Sequence, residues 1–233
     1  CVIGGTLAQG NLGMGISIAG GATGNLVGGL MPAARNFITA NQMYGVRING
    51  AGTSGNLIQN NFIGLDQNQA PVPNSLDGIV IENGATGNYI GATDAEIVAD
   101  TVDAAANVIS GNAKSGLSID GSGGNFVRGN RIGVDAAGTM GIPNGGHGVL
   151  IADGAAQNFI GHVLAGNVIA ANAMYGVNIV GVGSMENQVI GNLIGTNETD
   201  DAGLGNQYCG IAIDAGAVLN RVGGVGTGEG NVI

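Results

Sequence analysis

A tetrapeptide, Gly-apolar-x-Ile, recurs seven times and constrains this chain more than any other feature. It stands at Gly15-Ile16-Ser17-Ile18, Gly45-Val46-Arg47-Ile48, Gly78-Ile79-Val80-Ile81 and Gly116-Leu117-Ser118-Ile119, then at Gly148-Val149-Leu150-Ile151, Gly176-Val177-Asn178-Ile179 and Gly210-Ile211-Ala212-Ile213. Successive copies start 30, 33, 38, 32, 28 and 34 residues apart. Each is followed by two copies of Asn-x-(Ile/Val). The first set begins at Asn25, Asn56, Asn88, Asn125, Asn158, Asn187 and Asn220, the second at Asn36, Asn61, Asn107, Asn130, Asn167, Asn192 and Asn231. A repeat of this period is one supersecondary unit that buries its apolar face only by stacking on its neighbours.

Each segment is three or four residues long and reads with a period of two, the signature of a short strand. Three strands per unit give a coil with three walls. Stacking equivalent walls at ~4.8 Å makes parallel sheets, and about seven coils make a rod roughly 34 Å long. The spacing predicts an all-β parallel β-helix with Ile18, Ile48, Ile81, Ile119, Ile151, Ile179 and Ile213 in one interior column. The first Asn set is predicted to form a hydrogen-bonded amide ladder along the axis. Gly at the turns supplies positive φ without steric cost. Ser118, between two inward residues, is expected to face outward, where substitution is nearly neutral.

Composition agrees. Of 233 residues 48 are Gly, which disfavours helical bundles because each interior Gly costs up to ~1 kcal/mol against Ala. At 44% hydrophobic and 9% charged the chain is too apolar for a disordered one. Only 4 prolines and no three-residue glycine period exclude collagen. A net charge of −10 argues against nucleic acid or an anionic membrane as partner, and no apolar run is long enough to span a bilayer. Cys1 and Cys209 are too few for a disulfide scaffold and lie six coils apart, too far to bond to each other.

A longer cassette of two coils overlies the single coil, with Gly15, Gly78, Gly148 and Gly210 separated by 63, 70 and 62 residues. Odd units carry an insertion between the two Asn strands. Even units carry a loop with Asp66, Asp135 or Asn197, followed by Asn74, Asn144 or Asn206. The chain opens and closes inside a cassette without a cap-like sequence. Residues 1–233 are therefore expected to be a single segment cut from a longer solenoid.

The Asn-x-Ile and Gly-Ile-x-Ile rhythm resembles the right-handed parallel β-helix repeat family of the pectin-lyase-like superfamily, which includes periplasmic and surface carbohydrate-binding and alginate-epimerase-like members. The resemblance covers essentially the whole chain. It implies a right-handed, single-stranded β-helix and an extracellular, cell-surface or periplasmic bacterial location. It says little about activity, because the repeated residues build turns and core.

Catalytic relatives of that kind need an acidic cluster and a base on neighbouring coils. Here the cations Arg35, Arg47, Lys114, Arg128, Arg131 and Arg221 are scattered, and His147 and His162 fall at different corners of one coil. Arg128 and Arg131 near Asp135 come closest to a site and are read as a surface charge pair. The insert Thr93 to Asp103 has capping-box spacing at Thr93 and Glu96 and is predicted as a short helix within 93–106, with Ile97, Val98 and Val102 on one side. Calcium at this acidic segment or at Asn197-Glu198-Thr199-Asp200-Asp201 is the one cofactor the sequence leaves open. Gly223 to Gly228 are turn glycines, since no helix or Lys-Ser/Thr follows them.

Two outward rows are apolar. One holds Leu26, Leu57, Tyr89, Phe126 and Phe159, and its neighbour holds Phe37 and Phe62. Apolar surface on that scale marks an interface unless the inserted loops fold back over it. The leading functional expectation is a structural, non-catalytic module of an extracellular surface protein, adhesin or filament, self-associating or continuing into a longer chain. The alternative is a polysaccharide-binding or polysaccharide-modifying β-helix of the lyase or C5-epimerase kind.

Overall fold

A computed structural model of the chain describes residues 1–4, 10–197, 199 and 204–233. Among these the strands form three parallel sheets of seven strands each, visited in strict rotation. The first wall runs from Val2–Gly4 through Phe37–Thr39, Phe62–Ile63, Val108–Ile109, Arg131–Ile132 and Val168–Ile169 to Leu193–Ile194. The second comprises Ile16–Ala19, Val46–Asn49, Ile79–Glu82, Leu117–Asp120, Val149–Ala152, Val177–Val180 and Ile211–Asp214. The third comprises Leu26–Gly28, Leu57–Gln59, Tyr89–Gly91, Phe126–Arg128, Phe159–Ile160, Gln188–Val189 and Arg221–Val222. This is the all-β parallel β-helix that the repeat requires.

The predicted isoleucine column is in register through every pair of the second wall. Ile48 to Ile179 are buried, while Ile213, in the last strand of that wall, is 42% exposed. Ile38, Ile63, Ile109, Ile132, Ile169 and Ile194 line the first wall inside, and Ile58, Ile90, Val127, Ile160 and Val189 line the third, so all three walls share one core.

Three asparagine ladders stand at the corners. The first runs Asn25 to Asn220, each Nδ2 donating to the Oδ1 of the next coil's Asn at 2.8–3.1 Å. The second runs Asn36 to Asn231 in the same way. The third links Asn11, Asn41, Asn74, Asn112, Asn144, Asn172 and Asn206. Most rungs are also bonded to backbone. Asn125 Nδ2 reaches Ala85 O and Gly123 O as well as Asn158 Oδ1, and its own Oδ1 accepts from Asn88 N and Nδ2.

Turn glycines such as Gly50 and Gly84 take the expected positive φ, whereas the glycine that opens each tetrapeptide is required by space. A Cβ on Gly116 would lie 2.7 Å from Ile132 Cγ2 and 2.9 Å from both Asn144 Nδ2 and Gly148 O. Gly133 meets both demands, with φ +84 and a would-be Cβ 2.1 Å from Ala170 O.

The insertion folds into two short helices, Asp94–Val98 and Val102–Ala105, and the first carries the predicted capping box between Thr93 and Glu96. Ile97 and Val102 pack on Ala92, Ala105 and Ala165. Val98, expected beside them, is 88% exposed, because so short a helix presents only one turn to the rod.

Ile119→Ala should cost about 2–5 kcal/mol in equilibrium unfolding, as a cavity in a fully packed column. Asn125→Ala should cost at least as much, because it orphans several buried donors and acceptors at about 1–3 kcal/mol each. The same change at the terminal rung, Asn25, should cost much less.

Candidate functional site

The outer faces of the three walls differ in chemistry. On the first, the loops that begin at Leu65 and Val134 fold back as hairpins closed by the bridges Leu65–Pro71 and Val134–Gly141. Asp66 Oδ1 accepts from Asn68 N and Ala70 N, and Asp135 Oδ1 from Thr139 N and Met140 N. Leu65 and Ile142 then cover Phe62 and Val108. Phe62 is 4% exposed, with Phe37 edge-on at 5.5 Å and the Arg35 guanidinium 4.3 Å from its ring centre. Phe62 is therefore a satellite-core residue, not the interface residue expected, and Phe37 is packed against it.

On the third wall Leu26, Leu57, Tyr89, Phe126 and Phe159 stand in register, half-buried apart from the exposed Leu26. The rings stack on one another, Tyr89 on Phe126 at 4.6 Å and Phe126 on Phe159 at 5.0 Å, within 12° and 9° of parallel. Arg128 lies 4.5 Å over Phe126. These ring faces are taken up by neighbours, and the edges point out.

The second wall carries a cleft of about 410 Å³. Its sides come from two positions the repeat leaves free, the residue before each Gly and the residue after each Ile. The first position supplies Tyr44, Asp77, Ser115 and His147, and the second supplies Asp120. Asp77 Oδ1 accepts from Ser115 N at 2.7 Å, Ser115 Oγ from His147 N at 3.3 Å, and His147 stacks on Tyr175 at 5.3 Å. Ser118 on the floor is 1% exposed and not the solvent-facing residue expected, because these flanking side chains rise on either side of it.

Charge in the cleft is unbalanced. Burial, then Asp153, Asp77 and Glu82, push the Asp120 carboxyl up to about 6. Burial likewise raises Asp77, against the hydrogen bond from Ser115 N, the nearby Ser118 hydroxyl and the charge of Lys114. Arg47 is paired with Glu82. Burial lowers the His147 pKa and favours its neutral form.

The structure separates the residues first singled out near Asp135. Arg128 pairs with Asp94 at 2.7 Å, Arg131 with Asp103 at 3.0 Å, and Asp135 serves its own loop. Of the second acidic segment, Glu198, Asp200 and Asp201 lie outside the described residues, while Asn197 Nδ2 donates to Gly138 O. Among the described residues no three His, Cys, Asp or Glu side chains converge as metal ligands, and no helix is long and apolar enough to cross a membrane. Cys1 and Cys209 are free and exposed. The cleft itself went unread in the sequence. Its signal was chemistry-bearing residues at the variable position before each repeat Gly.

No family model matches the chain, and no curated protein matches it. It is similar to a crystal structure of a mutant of the periplasmic alginate epimerase AlgG, at 18% identity and a TM-score of 0.35 over 77% of this chain. The chain spans 44% of the length of that protein.

Asp120→Asn should raise the melting temperature at pH 7.5. The folded-state pKa of Asp120 lies above the ~3.9 of an unfolded Asp, so its ionised form destabilises the fold above about pH 6. That gain should shrink as pH falls through about 6 and vanish near 4, measured by thermal unfolding across pH.

Proposed function

We propose that the chain is a structural, non-catalytic β-helical module of an extracellular bacterial surface protein, adhesin or filament. The observation that carries this reading is the continuity of the ladders. Side-chain amides link all seven strands of every wall at its corner, and on the third wall stacked rings add to them. Such a pattern adds coils without needing a new interaction, so rod length scales with repeat number, and it suits self-association or continuation into further coils. The cations support the same reading. Arg47, Arg128, Arg131 and Arg221 are held in ion pairs and Arg35 bonds to Asn60 Oδ1, which leaves them tied to the scaffold.

Immunogold electron microscopy of the native cells, with antibody to this chain, tests the location. Label on the outer surface or on material projecting from it is expected, and label confined to the cytoplasm would overturn the reading. Incubation of the purified protein with polyuronates tests the chemistry. Unchanged polymer is expected, whereas unsaturated uronate ends or an altered C5 configuration would establish the polysaccharide-modifying alternative.

A further inference from the structure

Among the described residues four buried side-chain polar atoms have no hydrogen-bond partner: Ser118 Oγ, Arg128 Nε, His147 Nδ1 and Asn178 Oδ1. Ser118 and His147 line the second-wall cleft. Asn178 lies on the same outward row, two strands along from Ser118. The Ser118 hydroxyl stands beside the Asp77 carboxyl in the cleft without meeting the geometry of a hydrogen bond to it or to any other group. A hydroxyl left this way bears its desolvation cost uncompensated, and its setting shows what would relieve it.

The cleft offers acceptors in excess of donors. Asp77 and Asp120 supply carboxylate oxygens, Ser118 a free hydroxyl oxygen and His147 an unpartnered ring nitrogen, while Lys114 is the one cation among the lining residues. Asp153 and Glu82 add negative charge at Asp120, Glu82 while paired with Arg47. Leu76, Leu150 and Met174 give the lining its apolar part, and Tyr44, Ser115 and two glycines complete it. A metal ion is a poor match, since no three ligating side chains converge among the described residues.

We propose that the second-wall cleft binds a primary alkylammonium group, with Asp77, Asp120 and Ser118 Oγ accepting its three N–H bonds and Leu150 and Met174 receiving its alkyl stem. An ammonium group carries three donors and no acceptor, which matches this acceptor set. The shared chemistry is that of a free small amine or of a lysine side chain on a partner. The inference is independent of the rod's structural role.

Calorimetric titration of the protein with pentan-1-amine at pH 7.5 tests the site. One-site binding is expected, with pentan-1-ol at least about tenfold weaker and with Ser118→Ala and Asp120→Asn each weakening the amine about tenfold or more. Asp100→Asn, which removes a carboxylate outside the cleft, should leave binding unchanged. Nα-acetyl-lysine methylamide binding as tightly as pentan-1-amine identifies a lysine side chain as the source, and weaker binding identifies a free amine. On the unmodified protein, lowering the pH from 7.5 to 5 should weaken the amine, because the Asp120 carboxyl, pushed up to about 6 by burial and its acidic neighbours, gains a proton and no longer offers a charged acceptor. No binding at millimolar amine, equal binding of the alcohol, unchanged affinity in both folded cleft variants, or affinity independent of pH would each overturn the proposal.

Discussion

The side-chain amide bonded along the rod axis is the interaction on which the structure depends. A carboxamide has two donors and two acceptor lone pairs, and a buried one must use them. Asn125 does so by giving its N–H groups to the next coil and to nearby carbonyls while its oxygen accepts twice from Asn88. Repeated at three corners, this bonding takes the register of each coil from the one beside it. It also explains the opening glycine of the first six units. The Asn144 amide occupies the space that a side chain on Gly116 would need, so ladder and glycine are two halves of one constraint.

Where that constraint acts, structure was legible in the residues. The isoleucine column, the first two Asn sets and the three walls follow from positions that repeat without variation, and the capped helix follows from the local spacing of Thr93 and Glu96. The third ladder was only half legible. Asn74, Asn144 and Asn206 read as loop residues because loops of different length precede them, although every member stands four residues before a repeat Gly. A counting frame anchored on that Gly exposes it.

What could not be read depends on contacts between segments of unequal length. Alternation correctly placed Phe62 and Ser118 outside the sheet, but outside a sheet is not the same as outside the protein. The hairpins at Leu65 and Val134 cover Phe62, and the residues flanking the second wall bury Ser118. The walls thus acquire separate characters from insertions and variable positions laid on one scaffold: a covered apolar face, a stack of aromatic rings, and an acidic cleft.

Hydrogen exchange of the asparagine side-chain amides, followed by NMR, tests the ladder account most directly. Protons on Nδ2 of Asn88, Asn125 and Asn158 should exchange as slowly as the core backbone amides around them, because releasing them requires separating two coils. Exchange of those side-chain protons at the rate of exposed asparagines, while the backbone stayed protected, would show that the coils are held by their sheets alone and would contradict the account.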